Sequence, residues 1–101
     1  MTQVTILLAP REVMRDFFFV DGARAAALVR EHLPNYTACK PFETAEEGED
    51  AAEEAFDLTN NPSRQDEREE KYGRGRSVSS GDVIDVDGVK YACLSIGWQV
   101  L

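Results

Sequence analysis

The dipeptide Asp87-Gly88 stands between two apolar-rich runs, and no other stretch restricts the fold as much. Before it, Val83, Asp85 and Asp87 alternate with Ile84, Val86 and Gly88; after it, Val89 to Ser95 reads as a return strand. Glycine takes the positive φ of a primed turn at little cost, so the pattern predicts a β-hairpin. Gly97-Trp98 ends the return strand, and Trp98 to Leu101 is read as its continuation. At the other end of the chain, Val4 to Leu8 (VTILL) is a short apolar run with β-branched residues, expected to be a buried strand that Pro10 terminates.

Between these strands the periodicity changes. Phe17, Phe18 and Phe19 are consecutive, so one narrow helical face cannot hide all three; an extended stretch is expected there. Asp21 is placed to cap a helix over Gly22 to Leu33, where Ala25, Leu28, Val29 and His32 or Leu33 form one stripe of a 3.6-residue repeat. Pro34-Asn35 stops it. Tyr36 to Phe42 suits an edge strand, because Pro41 cannot donate to a ladder. Thr44 with Glu47 three residues on reads as a capping box opening a second helix. Its inner face would be Ala52, Ala55, Phe56 and Thr59.

Asn60-Asn61-Pro62 marks a turn, and Ser63 to Lys71 is wholly polar, either a short exposed helix or a mobile loop with Tyr72 as its apolar anchor. Residues 60–76 thus form a polar connector, leading to the hairpin region at 77–101. With 101 residues and an apolar fraction of 43%, the chain has room for one domain, 1–101, with one modest core. The expected fold class is α+β: a small mixed or antiparallel sheet, two main helices on one face, and the C-terminal hairpin.

The charge is unevenly placed. The net charge is −8, and from Glu43 to Asp57 there are eight acids and no base, so the whole imbalance lies in that segment. On the expected helix Glu46, Glu49, Asp50, Glu53 and Asp57 point outward, with Glu54 beside them. Acids in the first turn suit the helix dipole, yet like charges at i,i+4 oppose one another by a few tenths of a kcal/mol per pair. Such a ridge repels phosphate and attracts basic surfaces.

Other candidate sites read as structural. His32 is the sole histidine, and Cys39 and Cys93 match no zinc or redox spacing, so no metal site or cofactor is expected, and both cysteines are expected to be reduced. Ser77, Ser79 and Ser80 have no local base, and Asp82, Asp85 and Asp87 lack calcium-loop spacing. Gly73-Arg74-Gly75-Arg76 lacks the lysine and helix of a phosphate loop and reads as a connector. No catalytic residue and no enzymatic activity are expected.

The run GRSVSSGDVIDVDGVKYACLSIGWQVL resembles the C-terminal signature of the YodL-like domain. Gly75-Arg76-Ser77, Ser80-Gly81-Asp82-Val83-Ile84, the Asp87-Gly88 turn, Tyr91 and Ser95-Ile96-Gly97-Trp98 carry the resemblance, which covers about residues 56 to 101. It implies an accessory protein of a phage or other mobile element, of the kind found in actinobacteria. It implies no chemistry.

The functional expectation is a small acidic protein that binds a host protein with a basic surface, in the cytoplasm of a bacterial cell, and inhibits a defence or replication factor. Glu46, Glu49, Asp50, Glu53, Glu54 and Asp57 would make the contact, with Trp98 as aromatic anchor. The alternative is a nucleic-acid module using Arg64, Arg68, Arg74 and Arg76, which neighbouring acids disfavour. The N-terminal apolar run is too short to span a bilayer, so no membrane association is expected, and the chain is read as a monomer or small homo-oligomer.

Overall fold

The computed structural model describes residues 1–17, 20 and 22–101. The expected extended stretch at Phe18 and Phe19 and the expected cap Asp21 lie outside them. A six-stranded, wholly antiparallel sheet forms the middle of the molecule. Its strands are β1 (Thr2–Leu8), β2 (Thr37–Ala38), β3 (Phe42–Thr44), β4 (Val83–Val86), β5 (Val89–Cys93) and β6 (Trp98–Val100). The helices are α1 (Arg11–Phe17), α2 (Gly22–His32), α3 (Gly48–Asn60) and α4 (Gln65–Lys71).

β1 pairs with β4 along one side, Ile6 opposite Ile84, and with both β2 and β3 along the other. The register moves by one residue between Leu7 opposite Ala38 and Val4 opposite Phe42. The edge strand expected over Tyr36 to Phe42 is therefore two short pieces, broken by a bulge around Cys39 to Pro41. Proline has no N–H to give the ladder there.

The hairpin forms where expected. Asp87 and Gly88 both have positive φ, 49° and 93°, as a type I′ turn requires. The Asp87 Oδ1 also accepts the backbone N–H of Gln3 at 3.0 Å, which ties the turn to β1. Trp98 to Leu101 does not continue β5. Gly97, at φ 76°, reverses the chain, and Trp98 pairs back against Cys93 as the separate strand β6.

Alternation along the strands divides the apolar residues between two faces. Val4, Ile6, Ile84 and Val86 pack against Ala51, Ala52, Ala55 and Leu58 of α3. Val83 and Ala92, out of phase with them, pack against Val13 and Phe17 of α1 and Ala25 and Val29 of α2. The α+β class and antiparallel sheet are as expected, but the two main helices sit on opposite faces rather than on one. The physical reason is that β1, β4 and β5 carry apolar residues on both faces, and each face needs its own cover.

Three further expectations are corrected. Phe17 is helical, not extended, and is buried at the end of α1. Thr44 does not cap α3: it is buried in β3 opposite Thr2, and its Oγ1 accepts the Glu46 N–H at 3.2 Å, while Glu47 takes the N-cap position without a side-chain bond. Ladder pairing has outcompeted the local box. Phe56 is not on the inner face of α3, where three fully buried alanines let the helix approach the sheet closely; it is 37% exposed.

The polar connector is tied down. Of its two readings, the short helix is realised as α4, and Tyr72 is buried after it. Arg68 donates to the carbonyls of Thr59 and Gly75, the Tyr72 hydroxyl donates to the Arg76 carbonyl at 2.6 Å, and Ser77 Oγ donates to Thr59 O at 2.6 Å. The bonds to Thr59 satisfy a carbonyl left free at the C-terminal end of α3, and together the set pins residues 73–78 without regular structure.

Candidate functional site

α3 lays its alanines on the sheet, so its acids must face outward. Glu46, Asp50, Glu53, Glu54 and Asp57 fall near i, i+4, i+7, i+8 and i+11, one stripe of the helix and its entry turn. They line a single open depression of about 410 Å³. Glu49 is exposed beside it. The expected ridge is thus brought together by one helix face.

Its C-terminal end is partly neutralised from within. Arg64 donates two bonds to Glu54 at 2.8 Å, one to Asp57 at 2.8 Å and two to Glu67 at 2.9 Å. These bonds raise the Arg64 pKa further above its ordinary value. Arg64, with Lys71 adding, holds the Glu67 carboxyl down at about 2. Among the described residues no cation pairs with Glu46, Glu49, Asp50 or Glu53. The uncompensated part of the ridge is therefore its N-terminal two-thirds.

Trp98 borders that part. Its ring packs partly into the core under α3, and its Nε1–H donates to Glu53 Oε1 at 2.5 Å. A cleft of about 120 Å³ beside it is lined by Glu53, Phe56, Cys93, Leu94, Ser95, Gly97 and Trp98. Val100, two residues along the same face of β6, is 53% exposed. This apolar flank is more than Trp98 alone. Phe56 could have been found from the helix phase: Ala51, Ala52, Ala55, Leu58 and Thr59 define the buried stripe and leave Phe56 off it.

The arginines offered as an alternative contact are mostly committed to internal acceptors. Arg64 serves the acid cluster. Arg68 caps α3 and lies over the Tyr72 ring, 5.6 Å from its centroid. Arg76 grips Asp82, whose carboxylate also accepts the N–H groups of Ala9 and Ser79 at 2.8 Å. Arg74 alone of the four is exposed with no ion pair among the described residues.

The remaining candidates have local duties. Ser77 and Ser79 join the connector bonds, Asp85 pairs with Lys90 at 3.2 Å, and His32 is half-buried at the end of α2. Cys39 and Cys93 are free thiols. Among the described residues no group of three or more His, Cys, Asp and Glu could hold a metal ion, and no helix is long and apolar enough to cross a membrane. No protein-family model matches the chain, and no curated protein or solved structure shows significant similarity to it.

Proposed function

We propose that this chain is an acidic interaction module that docks the outward face of α3, with its Phe56–Trp98 flank, onto a basic surface of another protein. The observation that carries the reading is the convergence of five acids on one depression, four ridge acids without a cationic partner among the described residues, directly beside exposed aromatic surface. Charge of one sign speeds encounter, and aromatic side chains at its border hold the complex once formed. The setting follows from the YodL-like resemblance of residues 56 to 101. In this reading the chain is an accessory protein of a phage or mobile element, working in the bacterial cytoplasm, and its partner is a host defence or replication factor that it blocks.

The test is affinity capture from a bacterial lysate, comparing the natural chain with a variant carrying Lys at Glu46, Glu49, Asp50 and Glu53. Recovery of the partner should fall as salt rises from roughly 0.05 to 0.5 M, where the screening length shrinks several-fold. The variant, shown folded by circular dichroism, should recover none. Equal recovery by both chains removes the ridge from the account.

A further inference from the structure

The sheet has two edges, and they are not alike. On one side the β2 and β3 pieces are broken by a bulge and by Pro41, devices that blunt an edge against further pairing. On the other side, among the described residues, β6 pairs with β5 alone. Leu94 N donates to Gly97 O at 3.0 Å and Leu101 N to Lys90 O at 2.9 Å. In an antiparallel ladder the bonding residues alternate, so Gly97, Gln99 and Leu101 turn their backbone groups toward β5. Trp98 and Val100 therefore turn theirs outward. The segment Trp98-Gln99-Val100 carries no lysine, proline or bulge to discourage a neighbour.

The charge beside this edge selects the occupant. Trp98 projects from the sheet on the α3 side, and its indole is bonded to Glu53 of the ridge. A strand laid against β6 would place every second side chain on that same face. A second copy of the chain offers no cation in β6 and would bring two acidic ridges toward each other, at −8 net charge per copy.

We infer that β6 accepts an extended segment of the partner as a seventh strand, with Lys or Arg at alternate positions facing the α3 acids and apolar residues between them. This rests on the docking reading above and names the form in which the partner binds. Backbone bonds to Trp98 and Val100 would supply the pairing, and the ridge would set the choice of side chains.

Trp98 is the only tryptophan, so its emission reports directly on the edge. The probe is an acetylated, amidated eight-residue peptide of alternating lysine and valine, compared with the same peptide N-methylated at alternate residues to block its donors. The unmodified peptide should give a saturable change in emission, and N-methylation should weaken binding at least tenfold. Val100→Pro removes an outward N–H without touching the β5 ladder and should weaken binding similarly. Equal binding of both peptides, lost when Glu49 and Asp50 become Lys, overturns the added strand while leaving the ridge as a docking surface. Binding of neither peptide also overturns it, and the lysate capture then judges the ridge independently. A concentration-dependent dimer in sedimentation that Val100→Pro dissolves would assign the edge to a second copy, and likewise overturn it.

Discussion

Arg76 holds the fully buried carboxylate of Asp82 with both of its terminal nitrogens, Nη1 to Oδ2 at 2.6 Å and Nη2 to Oδ1 at 2.7 Å. The Arg76 side chain is 39% exposed, so it reaches a buried acid from the surface. With the Ala9 and Ser79 N–H groups, the carboxylate receives four donors and joins the end of β1 to the loop before β4. Asp82→Ala should cost about 3 kcal/mol, because it leaves two backbone donors and a cation without their acceptor. Urea unfolding would show a lower midpoint with an unchanged slope. A change within ~0.5 kcal/mol would mean the pair contributes no net stability.

Gly75 is required by proximity rather than by backbone angle. A Cβ at this position would lie 2.7 Å from the Tyr72 Oη and 2.9 Å from Cζ, and the Tyr72 ring is buried. Gly75→Ala should destabilise by about 1–3 kcal/mol through overpacking. Gly73→Ala meets no atom within 4 Å and bears only the strain of its φ of 90°. The thermal midpoint of Gly75→Ala should therefore fall below that of Gly73→Ala; the reverse order would refute the crowding argument.

The Arg64 cluster predicts part of the acid limb of the stability curve. Glu67 ionises at about 2 in the folded chain against an ordinary 4.5, so its stabilising contribution is complete above about 4.5 and is lost as pH falls toward 2. Glu67→Gln should flatten the dependence of stability on pH in that window and leave its shape above pH 5 unchanged. Denaturant titrations at stepped pH would measure it. An unaltered acid limb would show that Arg64 and Lys71 do not hold this carboxylate.

The two thiols should separate by reactivity. Burial, reinforced by the charges of Asp82 and Glu53, pushes the Cys93 thiol up to about 12, so it stays protonated near neutrality and shielded from reagents. Cys39 is only half-buried. With excess dithionitrobenzoate at pH 8, one thiol per folded chain should react readily, and Cys39→Ser should abolish that reaction. Cys93 should react only when urea opens the core. Rapid reaction of both thiols in the folded chain would contradict the packing of β5 under α3.

The elements that could be read from the sequence are those specified by neighbours along the chain. Asp87-Gly88 dictates its own turn, α2 follows from the stripe through Ala25 and Val29, and the outward acids follow from helical phase. What could not be read depends on distant partners. Thr44 and Glu47 satisfy the pattern of a capping box, yet Thr2, far away in sequence, claims Thr44 for the sheet. The division of α2 and α3 between faces follows from both-sided burial of β1 and β4, which short apolar runs imply only once their pairing is known. Arg76 and Asp82 are close in sequence but share no periodic element, so nothing in the pattern singled out their bond. The exposed edge of β6 depended on Gly97 reversing the chain, where alternation alone suggested a longer β5.

The position of β1 carries a consequence for how the chain is made. This strand leaves the ribosome well before β4, yet its longest pairing, with β4, brings Ile6 against Ile84. Closing so wide a loop adds little to the equilibrium cost, since that grows only logarithmically, but pairings this distant slow the search for the native arrangement. Until β4 is synthesised, β1 can pair only with the short, interrupted β2 and β3, and α3 has an incomplete sheet to cover. Until then the nascent polypeptide carries an unpaired strand edge awaiting its mate, and cellular yield should track the supply of chaperones able to shield it.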